Sequence, residues 1–354
     1  MRGPERHWLR GLLVGVAVLL LLAILWLRLR GAPFQWERFF TTLHAIAWTW
    51  LALAILLMLL TYVGRALRWE VMLRPLGTKV GIVRLTSDTA IGFMAAVLLG
   101  RVGELVRPYL ISVSAGVPFS SQLAAWFLER LLDLLAVLLI FGFALTRIPS
   151  HHLPLGAGLR WALGAGGYVV TLLGALCLVI LVVFRNFSEV AERRILSAVS
   201  FLPDNYYKRS KSILKAFSEG VRSTRNPAFL SLLLAYTVLE WLVITASYYT
   251  LFRAFSATVS LKITDVVVIL GFLSFGSVVQ IPGIGGGLQV TAIVVLTELY
   301  GLSLEAASGI AMFLWVLTLL VIVPAGLLCA VHQGWNFSKI RQLAFERLPQ
   351  QEPL

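Results

Sequence analysis

The sequence predicts an all-α, polytopic membrane protein with about six full transmembrane helices, two re-entrant broken hairpins and a candidate inverted repeat. Three observations carry this. Of the 354 residues, 59% are hydrophobic and 13% charged, against roughly 45–50% and about 25% in an average soluble domain. A globule of this length must cover its outside with polar groups, so most of the surface faces lipid and a soluble enzyme is excluded. The apolar runs are continuous and do not alternate with period two, which selects helices over a lipid-facing barrel. Finally, the net charge of +13 is concentrated in a few segments between the runs.

Crossing about 30 Å of hydrocarbon takes roughly 17 to 25 residues. Six runs qualify: 11–27, 45–64, 120–145, 161–184, 228–252 and 305–331. The first is longer than the apolar core of a secretory signal and ends in Arg28 and Arg30 without a small-residue cleavage site, so it reads as a retained helix. Residues 85–118 and 264–303 do not fit the template. The run Ala90 to Leu99 is broken by Gly100, Arg101, Gly103, Glu104, Arg107 and Pro108, and the run Asp265 to Ile281 by Pro282, Gly283, Ile284, Gly285, Gly286 and Gly287. Each reads as two short helices joined at a break. Such backbone persists at membrane depth where protein or a wet cavity surrounds it. The alternative is a pair of kinked full spans.

Basic residues in short loops favour the cytoplasmic side. Arg2, Arg6 and Arg10, the segment Arg65 to Arg84, nine basic residues between Arg185 and Arg225, and the C-terminal Lys339, Arg341 and Arg347 together hold 20 of the 30. Placing them inside gives a multi-pass protein of the inner (plasma) membrane with both termini cytoplasmic. The first hairpin then enters from the cytoplasm and the second from outside. On this reading 1–354 is a single domain in which span, hairpin, span over 45–145 recurs inverted over 228–331, and paired discontinuous helices of such repeats meet near the midplane at a substrate site. Residues 185–227 read as a cytoplasmic amphipathic segment on the anionic inner leaflet.

Charges inside apolar segments are expensive, on the order of 2.5–3.5 kcal/mol each on insertion scales, and mark candidate sites. Arg101, Glu104 and Arg107 are spaced i, i+3, which on one helix stacks them along one face; two guanidiniums around one carboxylate leave donors for a phosphate. Glu129, Arg130 and Asp133 lie inside the third span, with both carboxylates on one face and in need of a basic partner or a proton. The plainer reading pairs the two clusters, Arg101 or Arg107 with Glu129 or Asp133, and pins hairpin to span. The break at Pro282, Gly283, Gly285 and Gly286 is either a turn at a hairpin tip or a set of free N–H groups at a restarting helix, an anion site. Gln280 and Gln289 flank it.

Other polar residues signal less. Asp88 and Asp265 read as helix caps, and Glu240 and Glu298 as members of a polar interior or interfacial groups. Trp8, Trp26, Trp36, Trp48, Trp50, Trp69 and Trp335 lie near span ends, as an aromatic belt does. Cys177 and Cys329 sit in apolar runs as packing residues. No metal-ligand spacing, catalytic triad or P-loop is apparent, so no cofactor, metal or catalytic residue is assigned and no nucleic acid is expected as a partner.

Gly100-Arg101-Val102-Gly103-Glu104-Leu105-Val106-Arg107-Pro108, then Glu129-Arg130-Leu131-Leu132-Asp133 and the late Pro-Gly-x-Gly-Gly break, resemble the lysylphosphatidylglycerol synthase transmembrane-region family, also called the flippase-like domain family. The resemblance covers roughly residues 40–335. It implies a membrane domain that moves lipid between leaflets. Where the family has another Gly and then a Glu after the glycine run, this chain has Leu288 and Thr291, or Gln289 if the match shifts. The larger members carry a soluble aminoacyltransferase domain, for which the short tail to Leu354 leaves no room, so synthase activity is not expected.

The expected partner is accordingly a membrane phospholipid or lipid-linked phosphate, held by Arg101 and Arg107, ordered by Glu104, Glu129, Arg130 and Asp133, and met from the other side by Pro282, Gly283, Gly285, Gly286 and Gln289. An integral membrane enzyme that modifies a lipid-carrier headgroup, with Glu104, Glu129 or Asp133 as base, and an accessory subunit of envelope assembly are the alternatives.

Overall fold

A computed structural model describes residues 34–147, 170, 172–177, 179–180, 211, 226–277, 280–281 and 285–334. The elements are α1 (Trp36–His44), α2 (Trp48–Leu73), α3 (Ile82–Leu99), α4 (Val106–Ala115), α5 (Phe119–Arg147), α6 (Pro227–Arg253), α7 (Ile263–Gly276), α8 (Gly287–Glu298) and α9 (Leu304–His332). One minimal antiparallel pair, β1 (Gln280–Ile281) and β2 (Gly285–Gly286), joins α7 to α8. The chain is an all-α polytopic membrane protein. The predicted runs 120–145, 228–252 and 305–331 coincide with α5, α6 and α9 within two residues. The run 11–27, the segment 185–227 and most of 161–184 lie outside the described residues.

The local chemistry sets the ends. Asn226 caps α6 by accepting from the Ala228 N–H at 2.9 Å, with Pro227 at its first position, and Ser303 caps α9 by accepting from Ala306. Gly116, in the left-handed region at φ 65°, closes α4 before Pro118 restarts the chain.

α2 corrects the sequence reading: it runs to Leu73, nine residues beyond the predicted end. Trp69, Met72 and Leu73 keep an apolar face going, and it packs on Leu85, Ile111, Leu128 and Leu233. Arg65 and Arg68 therefore belong to the interior and not to a cytoplasmic loop.

Both broken segments are hairpins. α3 is 18 residues long and ends at Gly100 (φ 65°); a 3-10 turn, Gly100–Leu105, reverses the chain, and α4 returns along α3. Near the base, Ser114 Oγ donates to Asp88 Oδ2 at 2.8 Å. The close return requires two glycines: a Cβ on Gly103 would lie 2.0 Å from the Ala95 carbonyl oxygen, and one on Gly92 2.4 Å from Arg107 Cβ. In the second hairpin α7 and α8 pack on each other, and Tyr300 Oη donates to the Asp265 carbonyl at 3.1 Å, closing the base. Gly286, at φ 137°, starts α8 from a conformation that other residues rarely adopt.

The bases lie at opposite ends of the bundle. At one end the last turns of α2, the first turns of α5 and α6, and the base of α3 and α4 share one core, and Gln333 after α9 donates to Asp88 at 3.0 Å. At the other, Ala47 N–H donates to Ala254 O at 2.8 Å, and Ile46, Leu51, Phe252, Phe255, Val266, Leu296 and Ile310 form a second core. The first helix of the first hairpin packs on α9 and that of the second on α5, while α2 packs along α6. Asp265 does cap its helix, its carboxylate accepting from the Lys262 N–H at 2.8 Å. Asp88 does not: it is inside α3, fully buried, and ties Ser114 and Gln333 together.

Candidate functional site

Glu129, fully buried midway along α5, is the hub of an ion network. Arg107 donates to it with both terminal nitrogens, one at 3.2 Å to Oε1 and the other as a close pair to Oε2. Trp69 Nε1 donates to Oε2 at 2.7 Å and Arg65 to Oε1 at 3.2 Å. One turn on, Asp133 Oδ1 accepts from Arg68 at 2.7 Å. Glu240, from α6, accepts from Arg68 at 2.7 Å and pairs with Arg65 at the same distance. Four helices, α2, α4, α5 and α6, thus meet on seven ionised groups, where a lone charge would be severely penalised.

The balance of this network is chemically telling. Arg65, Arg68, Arg107 and Arg130 face Glu129, Asp133 and Glu240, four cations against three anions among the described residues. The loosest member is Arg130: its contacts to Glu129 and Asp133 are 3.8 and 3.6 Å, its Nε is buried without a partner, and its side chain is 37% exposed. Arg130 and Arg107 line a cavity of about 220 Å³ together with Gly92, Phe93, Glu104 and Trp126. The cavity wall therefore carries two guanidiniums, Arg107 held by Glu129 and the loosely paired Arg130, with the carboxylate of Glu104 beside them, and Arg130 has the least committed donors for a phosphate.

The predicted residues divide. Arg107, Glu129, Arg130 and Asp133 are brought together, and Arg107 does pair with Glu129 as the plainer reading required. Arg101, Glu104 and Arg107 do not share a helix face, because the 3-10 turn intervenes: Arg101 is 61% exposed at the hairpin tip and bonds Glu104 at 3.4 Å, while Arg107 is buried. Gln289 accepts from the Gly286 N–H at 2.7 Å and so belongs to the start of α8; Gly285 and Gly286 form β2. Pro282 and Gly283 lie outside the described residues.

Sequence reasoning missed Arg65, Arg68 and Trp69, and left Glu240 open. Trp69 is wholly buried and serves Glu129, unlike Trp36 and Trp48, which are well exposed as belt residues are. The missed signal was helical spacing: positions 65, 68, 69, 72 and 76 continue one face past the point where the charges seemed to end the span. Among the described residues no group of His, Cys, Asp and Glu could hold a metal ion.

Two helical hairpins with their bases at opposite ends, beside a buried ion network and a cavity lined by Arg107, Arg130 and Glu104, define a class of polytopic helical membrane protein. A family model for the lysylphosphatidylglycerol synthase TM region matches residues 10–326, and the chain belongs to that family. No curated protein and no solved structure matches the chain.

Proposed function

We propose that this protein binds an anionic phospholipid or lipid-linked phosphate and translocates it across the inner membrane, both of its termini being cytoplasmic. The observation that supports the reading is the loosely held guanidinium of Arg130, which joins Arg107 on the wall of the cavity of about 220 Å³. Arg130 engages the phosphate directly. Arg107, held by Glu129, fixes the adjoining wall, and Glu104 with Arg101 stands at the hairpin tip beside the entrance. Residues 45–145 and 228–331 act as inverted repeats; the opposed hairpin bases, and the packing of each first hairpin helix on the second span of the other half, support that pairing. Membership in a membrane family named for a lipid-modifying enzyme supports a lipid as cargo. The pairings of Glu129 and Asp133 tell against those two carboxylates as bases of the enzyme alternative, which leaves it Glu104, bonded to Arg101 at 3.4 Å.

The test is a reconstituted vesicle assay with head-labelled lipid and an impermeant quencher. Wild-type protein accelerates exchange of anionic lipids over empty vesicles. Arg130→Ala removes a charge-assisted contact worth about 1.5–3 kcal/mol and slows it about tenfold or more. Exchange no faster than in empty vesicles, across several anionic lipids, would sink the proposal.

A further inference from the structure

A second cavity, of about 150 Å³, lies on the other side of Phe93, whose ring lines both. The two chambers differ in chemistry. The outer one carries Glu104, Arg107 and Arg130. The inner one is walled by Ala54, Met58, Leu288, Leu314, Leu317 and Ile322 with a few polar groups between them. Most of those polar groups are already committed. Thr61 donates to the Met58 carbonyl at 2.6 Å, Ser247 to Ala54 at 3.1 Å and Thr318 to Leu314 at 2.8 Å. Arg65, at the mouth, gives its terminal nitrogens to Glu129 and Glu240. Two phenols remain: the Tyr62 hydroxyl, on a residue 5% exposed, is buried without a hydrogen-bond partner, and Tyr248 lines the same chamber.

The wall of this chamber is mainly apolar, which suits hydrocarbon better than a second headgroup, and the Tyr62 hydroxyl beside it lacks an acceptor. Phe93 stands at the boundary, its ring stacked on Tyr62 at 5.5 Å and lying under the guanidiniums of Arg65 at 4.8 Å and Arg107 at 5.5 Å.

We infer that a bound lipid is divided at Phe93: its phosphate lies in the outer chamber on Arg130, a stretch of its hydrocarbon fills the inner chamber, and the Tyr62 hydroxyl donates to an ester oxygen at the junction. This rests on the lipid-binding reading and narrows it, because a diacyl phospholipid carries an acyl-ester carbonyl next to its chain, whereas a polyprenyl phosphate has only its phosphate ester.

Photocrosslinking tests it. Full-length protein in vesicles is irradiated with phosphatidic acid bearing a diazirine near the acyl carbonyl or, in a parallel arm, with a diazirine polyprenyl phosphate, and adducts are mapped by mass spectrometry. Phosphatidic acid is expected to label Met58, Leu314 or Leu317, severalfold less in Tyr62→Phe, and least in Leu317→Trp, which fills the chamber. Polyprenyl phosphate is expected to label these positions weakly, with no response to Tyr62→Phe. Adducts on the outer chamber and on the lipid-facing Leu320 and Leu328 alone would overturn the divided pose while leaving the phosphate site standing. Equal inner labelling by both probes, indifferent to Tyr62→Phe, would overturn the acyl assignment. Absence of adducts from both chambers would remove this inference and the lipid-binding reading together.

Discussion

At the scale of single residues, Glu129 sets the behaviour of the site. Its two oxygens accept from Arg107, Arg65 and Trp69, so a change there strands Arg107 in a medium that cannot solvate it, while Arg65 keeps Glu240. Breaking a buried pair by removing one partner costs about 3–5 kcal/mol, and Glu129→Gln is expected to lower the thermal midpoint of purified protein accordingly. Trp69→Phe keeps an aromatic ring but removes one donor to a charged group, an effect of about 1.5–3 kcal/mol, together with part of the buried indole. A midpoint for Trp69→Phe as low as that for Glu129→Gln would mean that ring packing, and not the ion network, dominates this region. The acidic half of the network was legible because carboxylates within a long apolar run have no innocuous place. Of the basic half, Arg107 and Arg130 were legible as well, but Arg65 and Arg68 were not, because they stand where a span could end, and near a span end a cation is ordinary. Only the buried face of α2 beyond them, built from Trp69, Met72 and Leu73, distinguishes an interior arginine from an interfacial one.

At the scale of elements, the spans were legible from length and apolarity, and the hairpins from the clustering of Gly, Pro and charge at their breaks. The sequence does not state how closely the two arms of a hairpin pack, since that depends on which glycines meet backbone across the gap. Gly103 and Gly64 separate the two cases. A methyl group at Gly103 would meet the Ala95 carbonyl and the Ala96 nitrogen, which are backbone and have no rotamer to yield, whereas at Gly64 nothing lies within 4 Å. Overpacking of this kind costs about 1–3 kcal/mol. Gly103→Ala is therefore expected to destabilise by at least that amount and to displace α4, pulling Arg107 off Glu129. Gly64→Ala, within the uninterrupted α2, is expected to gain up to about 1 kcal/mol from helix propensity. Thermal melts of the two variants in one detergent decide the matter, and a neutral Gly103→Ala would show that the hairpin arms are further apart than described.

At the scale of the whole molecule, the sidedness of the hairpins determines what kind of machine this is. If both opened to the same face, the cavity beside Arg130 would be a binding pocket with one entrance; hairpins based at opposite ends are what the proposed translocation requires. Lys79 lies in the loop just before the first hairpin and Lys262 immediately before the second, and both are exposed. Arg74 lies in the same loop as Lys79 and Arg84 in the first turn of α3, and the bias of basic residues predicts a cytoplasmic position for that loop. In a background lacking Cys177 and Cys329, Lys262→Cys is expected to react with an impermeant maleimide in intact cells, and Lys79→Cys only after the membrane is opened. Reaction of both from outside would refute opposed hairpins and with them the inverted repeat. Reaction of Lys79→Cys alone would keep the architecture and invert its orientation, because the opposed bases are fixed by packing between helices, whereas the direction of insertion is fixed separately by the charges in the loops.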